Sequence, residues 1–292
     1  MEPRCVVLTR PTPYEELIAH HGTHGQAEWF LSRQGRDLRE LVAAHERQLR
    51  AVEAVWRAIP STWRTTRIER RDLDRFLFEP EDVVVAVGQD GLVANAAKYL
   101  SEQPVIGVNP GGFDGVLVRH APKAAVALLP RVADRVAPLT IRTRVQAATD
   151  DGQRLLALNE IYVGQRTHQS SRYTLSAGGR EERQSSSGLI VATGTGCTGW
   201  AKSIATARRT ELDLPDPTAP QLVFFVREAW PSKHTGASLV EGLVLDGATV
   251  TVASEMNDGG VFFGDGIESD PVDLPFARRV TLSRAEHGLH LA

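Results

Sequence analysis

The chain has 292 residues, a net charge of −3, 42% hydrophobic and 24% charged residues, values typical of a globular protein with one large or two medium domains. The charge gives no electrostatic reason to expect a nucleic-acid or membrane partner, and two cysteines far apart in sequence argue against a disulfide framework. Because no apolar run has membrane-spanning length and residues 1–4 do not begin a secretory signal, we expect a cytoplasmic location.

Residues 1–138 alternate between strand and helix patterns. His20, His21 and His24 lie close in sequence, but no Cys or repeated carboxylate accompanies them, so a surface cluster or ligand-facing loop is favoured over a metal site. The elements predicted before the central motif are a strand at 5–9, a helix at 14–21, an amphipathic helix at 36–59, a strand at 63–68 and a short helical piece at 73–78.

Residues 82–112 contain a strand–turn–helix–strand motif. The strand at 83–87 is apolar and β-branched, the turn is Gly88-Gln89-Asp90-Gly91, the helix covers 92–100 and a second strand covers 105–108. The alternation implies a parallel sheet with helices on its faces, and ligands bind at the carboxyl edge of such sheets. Glycines allow close approach of a phosphate, and the next helix supplies free N–H groups. An ordinary strand-ending turn is the alternative.

After Pro138 the pattern changes to strands. Alternation at 139–147 predicts a strand with Arg142 and Arg144 on the polar side, and a turn at 150–152 leads into a second strand at 155–163. Further strands are predicted at 173–176, 188–193, 221–226, 243–245 and 249–253, with a proline-rich loop at 210–220. We expect an α/β domain at 1–138, a mostly β domain at 139–274, and a segment at 275–292 that returns to the first domain.

Three polar patterns in the second half are candidates for ligand binding. Asn159 and Glu160 interrupt an apolar strand, and such a pair is either hydrogen-bonded internally or presented to ribose hydroxyls or a base. Residues 194–199 match GxGxxG, but no second strand ending in an acid follows, so a nucleotide-contacting turn is favoured over a dinucleotide fingerprint. Asp265-Gly266 forms a turn after an apolar run. Cys197 lacks a partner histidine motif, which favours a packed cysteine over a nucleophile.

Together these segments resemble the NAD kinase family. Its members carry a GGDGT turn after a strand, an Asn-Glu pair, a DGLIVSTPTGSTAYS-like segment and a late Asp-Gly. The counterparts occur here in the same order: GQDGL at 88–92, NE at 159–160, SGLIVATGTGCTGWAKS at 187–203 and DG at 265–266. The HGTH segment at 21–24 and the PVIGVNPGG segment at 104–112 resemble the mitochondrial-type branch.

The resemblance implies an α/β domain with a phosphofructokinase-like parallel sheet, followed by a mostly β domain. It implies transfer of the γ-phosphoryl group of ATP, with Mg²⁺ on the ATP oxygens, to the 2′-hydroxyl of the adenosine ribose of NAD, with Asp90 as general base. The nucleotide-contacting residues would be Gly88, Gln89, Gly91, Asn109, Asn159, Glu160, Ser187, Thr195, Gly196, Thr198, Trp200, Ser203 and Asp265. The partners would be small nucleotides and further copies of the chain, in a homodimer or homotetramer.

Several positions depart from the family pattern. Gln89 and Leu92 replace a glycine and the threonine of GGDGT, and Ser187 replaces an aspartate. In the PTGSTAY segment the replacements are Gly194, Cys197, Gly199 and Trp200. Two alternatives therefore stay open: a kinase for another hydroxylated acceptor such as a nucleoside, and a degenerate, non-catalytic NAD(P)-binding protein.

Overall fold

The computed structural model describes residues 3–292. Met1 and Glu2, which are part of the N-terminal segment used above to argue against a secretory signal, lie outside the described residues. The chain divides into one unit that runs to Thr140 and includes His290–Ala292, and a second unit, Ile141–Leu289. Within residues 3–292, no helix combines the length and apolar content that a membrane span requires.

The two units contain eighteen strands and six α-helices among the described residues. In chain order the strands are β1 (Arg4–Thr9), β2 (Arg64–Glu69), β3 (Asp82–Val87), β4 (Val105–Val108), β5 (Thr140–Arg142), β6 (Val145–Thr149), β7 (Arg154–Ala157), β8 (Glu160–Gln165), β9 (Ser171–Ala177), β10 (Arg180–Ser186), β11 (Leu189–Ala192), β12 (Leu222–Val226), β13 (Glu241–Val244), β14 (Val250–Ser254), β15 (Gly260–Gly264), β16 (Val272–Asp273), β17 (Arg279–Arg284) and β18 (Leu289–Leu291). The helices are α1 (Pro13–His21), α2 (His24–Arg33), α3 (Leu38–Ala58), α4 (Asp90–Ala97), α5 (Pro122–Ala133) and α6 (Trp200–Arg208).

The first unit is built on a sheet with the strand order β2-β1-β3-β4-β18-β5. The pairs that join β1 to β2, β1 to β3, β3 to β4 and β4 to β18 are parallel. All six residues of β3 are buried, as expected for an apolar central strand covered by helices. Val52 and Val55 of α3 and Leu129 of α5 pack into the core with the sheet residues. The predicted α/β class is confirmed for this part of the chain.

The second unit contains two antiparallel six-stranded sheets, ordered β10-β9-β14-β17-β6-β7 and β13-β12-β11-β8-β15-β16. One apolar core joins them, with Leu175 and Val252 from the first sheet and Val191, Phe224 and Phe262 from the second. Helix α6 covers the other face of the second sheet, where Ala201 and Ala205 pack with residues such as Ile190 and Phe225. The predicted mostly β class is confirmed here.

Two predictions within 1–138 were wrong or incomplete. Residues 73–78 do not form a helix. A single 3₁₀ turn ends at Asp72, and the ring centres of Phe76 and Phe78 lie 4.9 Å apart. Side chains two positions apart do not meet on a helix, so this contact requires non-helical backbone. His24 starts helix α2, which the sequence analysis did not predict, and the Thr23 hydroxyl caps this helix by accepting from Gln26 N–H.

The single strands predicted at 139–147 and 155–163 are each broken in two. Arg142 and Arg144, predicted on a polar face, are 2% and 1% exposed because the chain changes sheets between β5 and β6. Burial lowers the pKa of Arg144 to about 10, and its Nε donates to His287 O at 2.9 Å. The second predicted strand breaks between β7 and β8, at Leu158 and Asn159, where those two strands join different sheets.

Strand β10 and the C-terminal strands were not predicted. The polar sequence of β10 lacks an apolar alternation, although the strand pairs with β9 along its whole length. Within the segment 275–292, β17 pairs with β14 and β6 in the second unit, and only His290–Ala292 belong to the first unit. Of this segment, residues 275–289 therefore group with the second unit and His290–Ala292 with the first.

Candidate functional site

The turn Gly88-Gln89-Asp90-Gly91 lies at the carboxyl end of β3 in the first unit. Gly88 N–H donates to Val108 O at 3.0 Å, which holds the start of the turn beside the end of β4. Helix α4 begins at Asp90, and its N-cap residue Gln89 makes no side-chain capping hydrogen bond. Gln89 therefore leaves the first N–H groups of α4, and the positive end of its dipole, to another acceptor.

The carboxylate of Asp90 organises the loop after β4. Its Oδ2 accepts from Val116 N–H at 2.6 Å, and its Oδ1 accepts from the N–H groups of Leu117 and Val118, both at 2.9 Å. Two carboxylate oxygens offer about four acceptor positions, so these three donors leave about one position for a further hydrogen bond. Asp90 thus anchors backbone from 26 to 28 residues away and retains room for about one further hydrogen bond.

The side chain of Asn109 makes hydrogen bonds within the same loop. Its Nδ2 donates to Phe113 O at 2.8 Å, and its Oδ1 accepts from Gly111 N–H at 2.8 Å. These two bonds close the turn that follows β4. The structure therefore places Asn109 near the predicted turn but uses its side chain within the loop.

A cavity of about 110 Å³ lies beside Gly88 and Gln89 in the first unit. Arg10 Nη1 donates to Gln89 Oε1 at 3.4 Å, and Gln48 Nε2 donates to Val87 O at 2.7 Å, so both side chains hold the cavity wall. The sequence analysis missed Arg10 and Gln48. Arg10 directly follows β1, so the rule that ligands bind at carboxyl strand ends points to it, whereas Gln48 lies inside a long helix and has no such signal.

In the second unit, Asp265 explains the break between β7 and β8. Its carboxylate accepts from Leu158 N–H at 2.9 Å and from Asn159 N–H at 2.6 Å, and its own N–H donates to Glu160 O at 3.0 Å. Asp265 adopts a positive φ of 53°, which is uncommon for a residue other than glycine and occurs most often for Asn and Asp. The predicted pair at 159–160 and the predicted turn at 265–266 are therefore joined in one arrangement.

Thr193, which the sequence analysis did not select, connects this arrangement to the glycine-rich turn. Its hydroxyl donates to Leu158 O at 2.6 Å and accepts from the N–H groups of Thr195 and Gly196 at 3.1 and 3.2 Å. Its backbone N–H donates to Asn159 O at 2.9 Å. A Cβ on Gly196 would lie 2.2 Å from Asn159 O, so the two backbones approach too closely for any side chain.

Two polar side chains in this arrangement, those of Thr195 and Glu160, are buried. Thr195 is 2% exposed, and its Oγ1 has no partner among the described residues. Glu160 is 8% exposed, and burial raises the pKa of its carboxyl to about 8, with a further contribution from the Asp265 charge. Burial, and then the nearby Glu160, raise the pKa of the Cys197 thiol to about 11, so Cys197 is not an activated nucleophile at neutral pH.

The remaining predicted residues lie around the start of α6. The Trp200 ring is stacked with Tyr162 at 24° with 6.3 Å between ring centres, and the Arg227 guanidinium carbon lies 5.2 Å from the Trp200 ring centre. Tyr162 hydroxyl donates to Ser187 O at 3.2 Å, which places position 187 in the same cluster. Thr198 and Ser203, in the 3₁₀ turn before α6 and in its first turns, are exposed. Tyr162 and Arg227 were not predicted, although Arg227 follows β12 directly.

The structure thus groups the predicted residues into two sets, each described within its own unit. Gly88, Gln89, Asp90, Gly91 and Asn109 lie at one edge of the first sheet. The second set surrounds the 3₁₀ turn Gly196–Thr198 and comprises Asn159, Glu160, Ser187, Thr195, Gly196, Thr198, Trp200, Ser203 and Asp265. Backbone donors, hydroxyls, a buried carboxyl and a stacked aromatic ring suit a nucleotide ligand.

Comparison with known proteins identifies sequence relatives that match part of the chain. No family model matches the sequence. The chain is 33% identical over 152 residues to an NAD kinase of Psychrobacter arcticus, covering 49% of this chain and 46% of that protein. It is 29% identical over 228 residues to an NAD kinase of Halorubrum lacusprofundi, covering 72% of this chain and 74% of that protein. The chain thus spans about half the length of the first of these curated relatives.

Two solved structures show the same fold. Yeast NADH kinase complexed with NADH aligns with a TM-score of 0.62 and 15% identity, covering 100% of this chain and 83% of that chain. An NAD kinase from Archaeoglobus fulgidus in complex with ATP aligns with a TM-score of 0.59 and 20% identity, covering 99% and 92%. The predicted resemblance to the NAD kinase family is confirmed by the sequence relatives, and the predicted fold class by these structures.

Proposed function

We infer that this chain is a relative of the NAD kinases, and on that premise we propose that it transfers the γ-phosphoryl group of ATP to the 2′-hydroxyl of the adenosine ribose of NAD. The observation that carries the proposal is the arrangement in which Asp265 and Thr193 hold the backbone of Asn159 and Gly196. It joins three separate motifs of the resemblance around the buried Glu160 carboxyl and the buried Thr195 hydroxyl, which has no partner among the described residues.

The first unit would supply the phosphate contacts. The backbone of Gly88, Gln89 and Gly91 lies at the start of α4, where N–H groups and the helix dipole favour an anion. The part of the chain that the structure describes contains no group of three or more His, Cys, Asp or Glu side chains that forms a metal cage. Mg²⁺ on the ATP oxygens would neutralise charge during phosphoryl transfer.

The second unit would hold the acceptor nucleotide. Asn159, Glu160 and the Thr195 hydroxyl offer buried hydrogen-bonding groups, and Trp200 offers an aromatic ring. Ser187, Thr198, Ser203 and Asp265 complete the proposed set of contacts. Asp90 would accept the proton of the ribose hydroxyl at the acceptor position that its three backbone donors leave free.

The experiment is an NADP-formation assay with purified chain, ATP, Mg²⁺ and NAD, comparing Asp90→Asn with Asp114→Asn. Asp114 is an exposed carboxylate in the same loop, so its substitution removes an equal charge without touching Asp90. We expect Asp90→Asn to reduce kcat by about 10²–10⁴-fold, the usual contribution of a general base. The asparagine amide oxygen can still accept from Leu117 and Val118 N–H, whereas the hydrogen bond from Val116 N–H is lost, so unchanged NAD affinity is the check that the loop has kept its shape.

Four outcomes would contradict parts of the proposal. An Asp90→Asn variant that keeps its turnover would refute Asp90 as base. Equal losses in both variants would indicate a disturbed loop rather than a lost base. No NADP product, with ATP consumed on a nucleoside, would favour the alternative acceptor, which the altered segment 187–200 motivates. Nucleotide binding without turnover would favour a non-catalytic protein. The homo-oligomer, the mitochondrial-type branch and the cytoplasmic location stay predictions.

A further inference from the structure

The cavity beside the turn at 88–91 is lined by a single charge, and that charge is positive. Of the nine described residues that form its lining, only Arg10 is charged. The polar groups of Thr12 and Gln48, which also line it, already make hydrogen bonds within the chain. At about 110 Å³ the cavity is smaller than the roughly 300–1,000 Å³ of pockets that hold a whole ligand. It therefore suits one anionic group of a larger molecule.

The guanidinium of Arg10 has most of its hydrogen-bonding capacity unused. Its Nη1 donates to Gln89 Oε1 at 3.4 Å, which is longer than the usual range of about 2.7–3.2 Å. Its Nη2 lies 3.8 Å from Glu16 Oε1, and Glu16 is 55% exposed, so water screens this ion pair. A guanidinium has five N–H donors in a rigid fork, and four of these have no acceptor at hydrogen-bond distance within residues 3–292. Arg10 is thus a weakly paired cation at the wall of a cavity.

A second weakly paired arginine, Arg47 on α3, lies beside the loop that follows β4. A Cβ on Gly112 would lie 3.4 Å from Arg47 Nη2, and a Cβ on Gly111 would lie 3.8 Å from Arg47 Cδ. Among the described residues, no hydrogen bond or ion pair involves the Arg47 side chain. The next residue of the loop, Phe113, lines the cavity together with Arg10. The two cations therefore lie at the cavity and beside the loop that forms one of its walls.

Gln89 connects Arg10 to the turn. It is the N-cap residue of α4, yet its side chain makes no capping hydrogen bond and instead accepts from Arg10. Arg10 directly follows β1, and Gln89 follows β3 by one residue, and these two strands are paired and parallel. A glycine at position 89, as in the family pattern, would leave the Arg10 guanidinium without this contact.

We propose that Arg10 and Arg47 bind phosphate groups of the phosphoryl donor, and that Gln89 positions the Arg10 guanidinium. The proposal rests on the proposed function, because it assigns residues to the donor of that reaction. The planar fork of arginine matches the oxygens of a phosphate, and hydrogen bonds between two charged groups are stronger than neutral ones. Two cations attract a chain of several phosphates more strongly than a single phosphate. Arg10 and Arg47 are binding residues in this account, and Gln89 is a positioning residue.

The test is calorimetric titration with inorganic tripolyphosphate, which has the phosphate chain of the donor but neither base nor ribose. Arg10→Gln should raise its Kd by about 10- to 100-fold, the usual effect of losing a charge-assisted hydrogen bond. Arg47→Gln should raise it by about three- to tenfold, because Arg47 is more exposed to water. Arg10→Lys keeps the charge without the fork, so it should recover part of the loss.

Arg57→Gln is the matched control. Arg57 is an exposed arginine in the last turn of α3, about 15 Å along the helix from Arg47, and its substitution removes the same charge. Its Kd for tripolyphosphate should stay within about twofold of wild type. Equal losses in this control and in Arg10→Gln, an Arg10→Gln variant that binds like wild type, or a wild type that does not bind tripolyphosphate would each overturn the proposal.

A double-variant comparison tests the role of Gln89. If Gln89 orients the guanidinium, Arg10→Gln should weaken tripolyphosphate binding by a smaller factor in a Gln89→Gly background than in wild type. An equal factor in both backgrounds would refute the positioning role.

Steady-state kinetics separate failure of this proposal from failure of the proposed function. When NADP forms, Arg10→Gln should raise the KM for ATP and leave the KM for NAD unchanged. NADP formation with an unchanged KM for ATP would refute the proposal while the proposed function stands. Tripolyphosphate binding that depends on Arg10, in a chain that forms no NADP, would support the phosphate site and contradict the proposed function.

Discussion

Thr193→Val tests whether one hydroxyl holds the second set of site residues together. Valine has nearly the same shape as threonine, so the substitution removes hydrogen bonds without creating a cavity. The Thr193 hydroxyl makes three hydrogen bonds, to Leu158 O and from the N–H groups of Thr195 and Gly196. The residue is fully buried, so water cannot replace the lost partner.

The expected magnitude follows from these three bonds. A buried hydrogen bond contributes about 1 kcal/mol net, and each group left unpaired costs about 1–3 kcal/mol. The substitution should therefore lower the free energy of unfolding by about 3 kcal/mol. Thr251→Val is the matched control, because the hydroxyl of Thr251 is only part-buried and lies 3.5 Å from its single neighbour, the hydroxyl of Thr281. This control should change stability by about 0.5 kcal/mol or less.

Urea unfolding gives the global stability, provided that the m-value is the same in all variants. Because the chain has two units, amide hydrogen exchange supplies the local readout. The N–H groups of Thr195 and Gly196 should exchange faster in Thr193→Val, while strands of the first unit should be unaffected. A loss below about 1 kcal/mol with unchanged exchange at these two positions would refute the reasoning.

Two further substitutions test close packing and a buried charge pair. Gly196→Ala should destabilise the chain by about 1–3 kcal/mol and weaken NAD binding, because the new Cβ would lie 2.2 Å from Asn159 O. A urea unfolding curve that matches wild type would show that the backbone of the turn can shift to accommodate the methyl group. Asp82→Ala should cost about 3 kcal/mol, because the fully buried carboxylate accepts from Arg4 at 2.7 and 2.6 Å, while Arg4 keeps its ion pair with Glu79 at 3.2 Å. An Asp82→Ala, Arg4→Met double variant should recover part of the loss, and no recovery would contradict this explanation.

Elements whose character is local were predictable from the sequence. Strands β3 and β4 are short apolar runs, and the structure places them where the sequence analysis did, within one residue. Helix α3 follows equally directly from its apolar periodicity. Strand β10 was missed because Arg180–Ser186 is polar on both faces, and its pairing with β9 supplies what its own composition lacks.

Features that depend on distant partners were not predictable. The break between β7 and β8 is produced by Asp265, more than a hundred residues later in the sequence, and no local pattern at 155–163 signals it. The three backbone donors that hold Asp90 are equally invisible in the motif at 88–91. The motifs thus selected residues of the candidate site, whereas the hydrogen bonds that join those residues required the fold.

The departures from the family pattern have structural causes that differ between the two units. Gln89 has extended backbone, with φ of −98° and ψ of 164°, so this position does not require glycine, and the effect of its side chain is to line the cavity with Arg10. At position 194 the reverse holds: a Cβ would lie 1.9 Å from Asp216 O, so only glycine fits where the family has proline. The proline-rich loop thus packs against the turn and accounts for that replacement. In the turn at 193–198, Thr193 N–H donates to Asn159 O although several residues of the turn differ from the family pattern. In the turn at 88–91, the replacement of a glycine by Gln89 adds a side chain to the lining of the cavity. The replacement at position 89 is therefore expected to alter phosphate contacts at the first unit's cavity, and the backbone that holds Asn159 is unaffected by it.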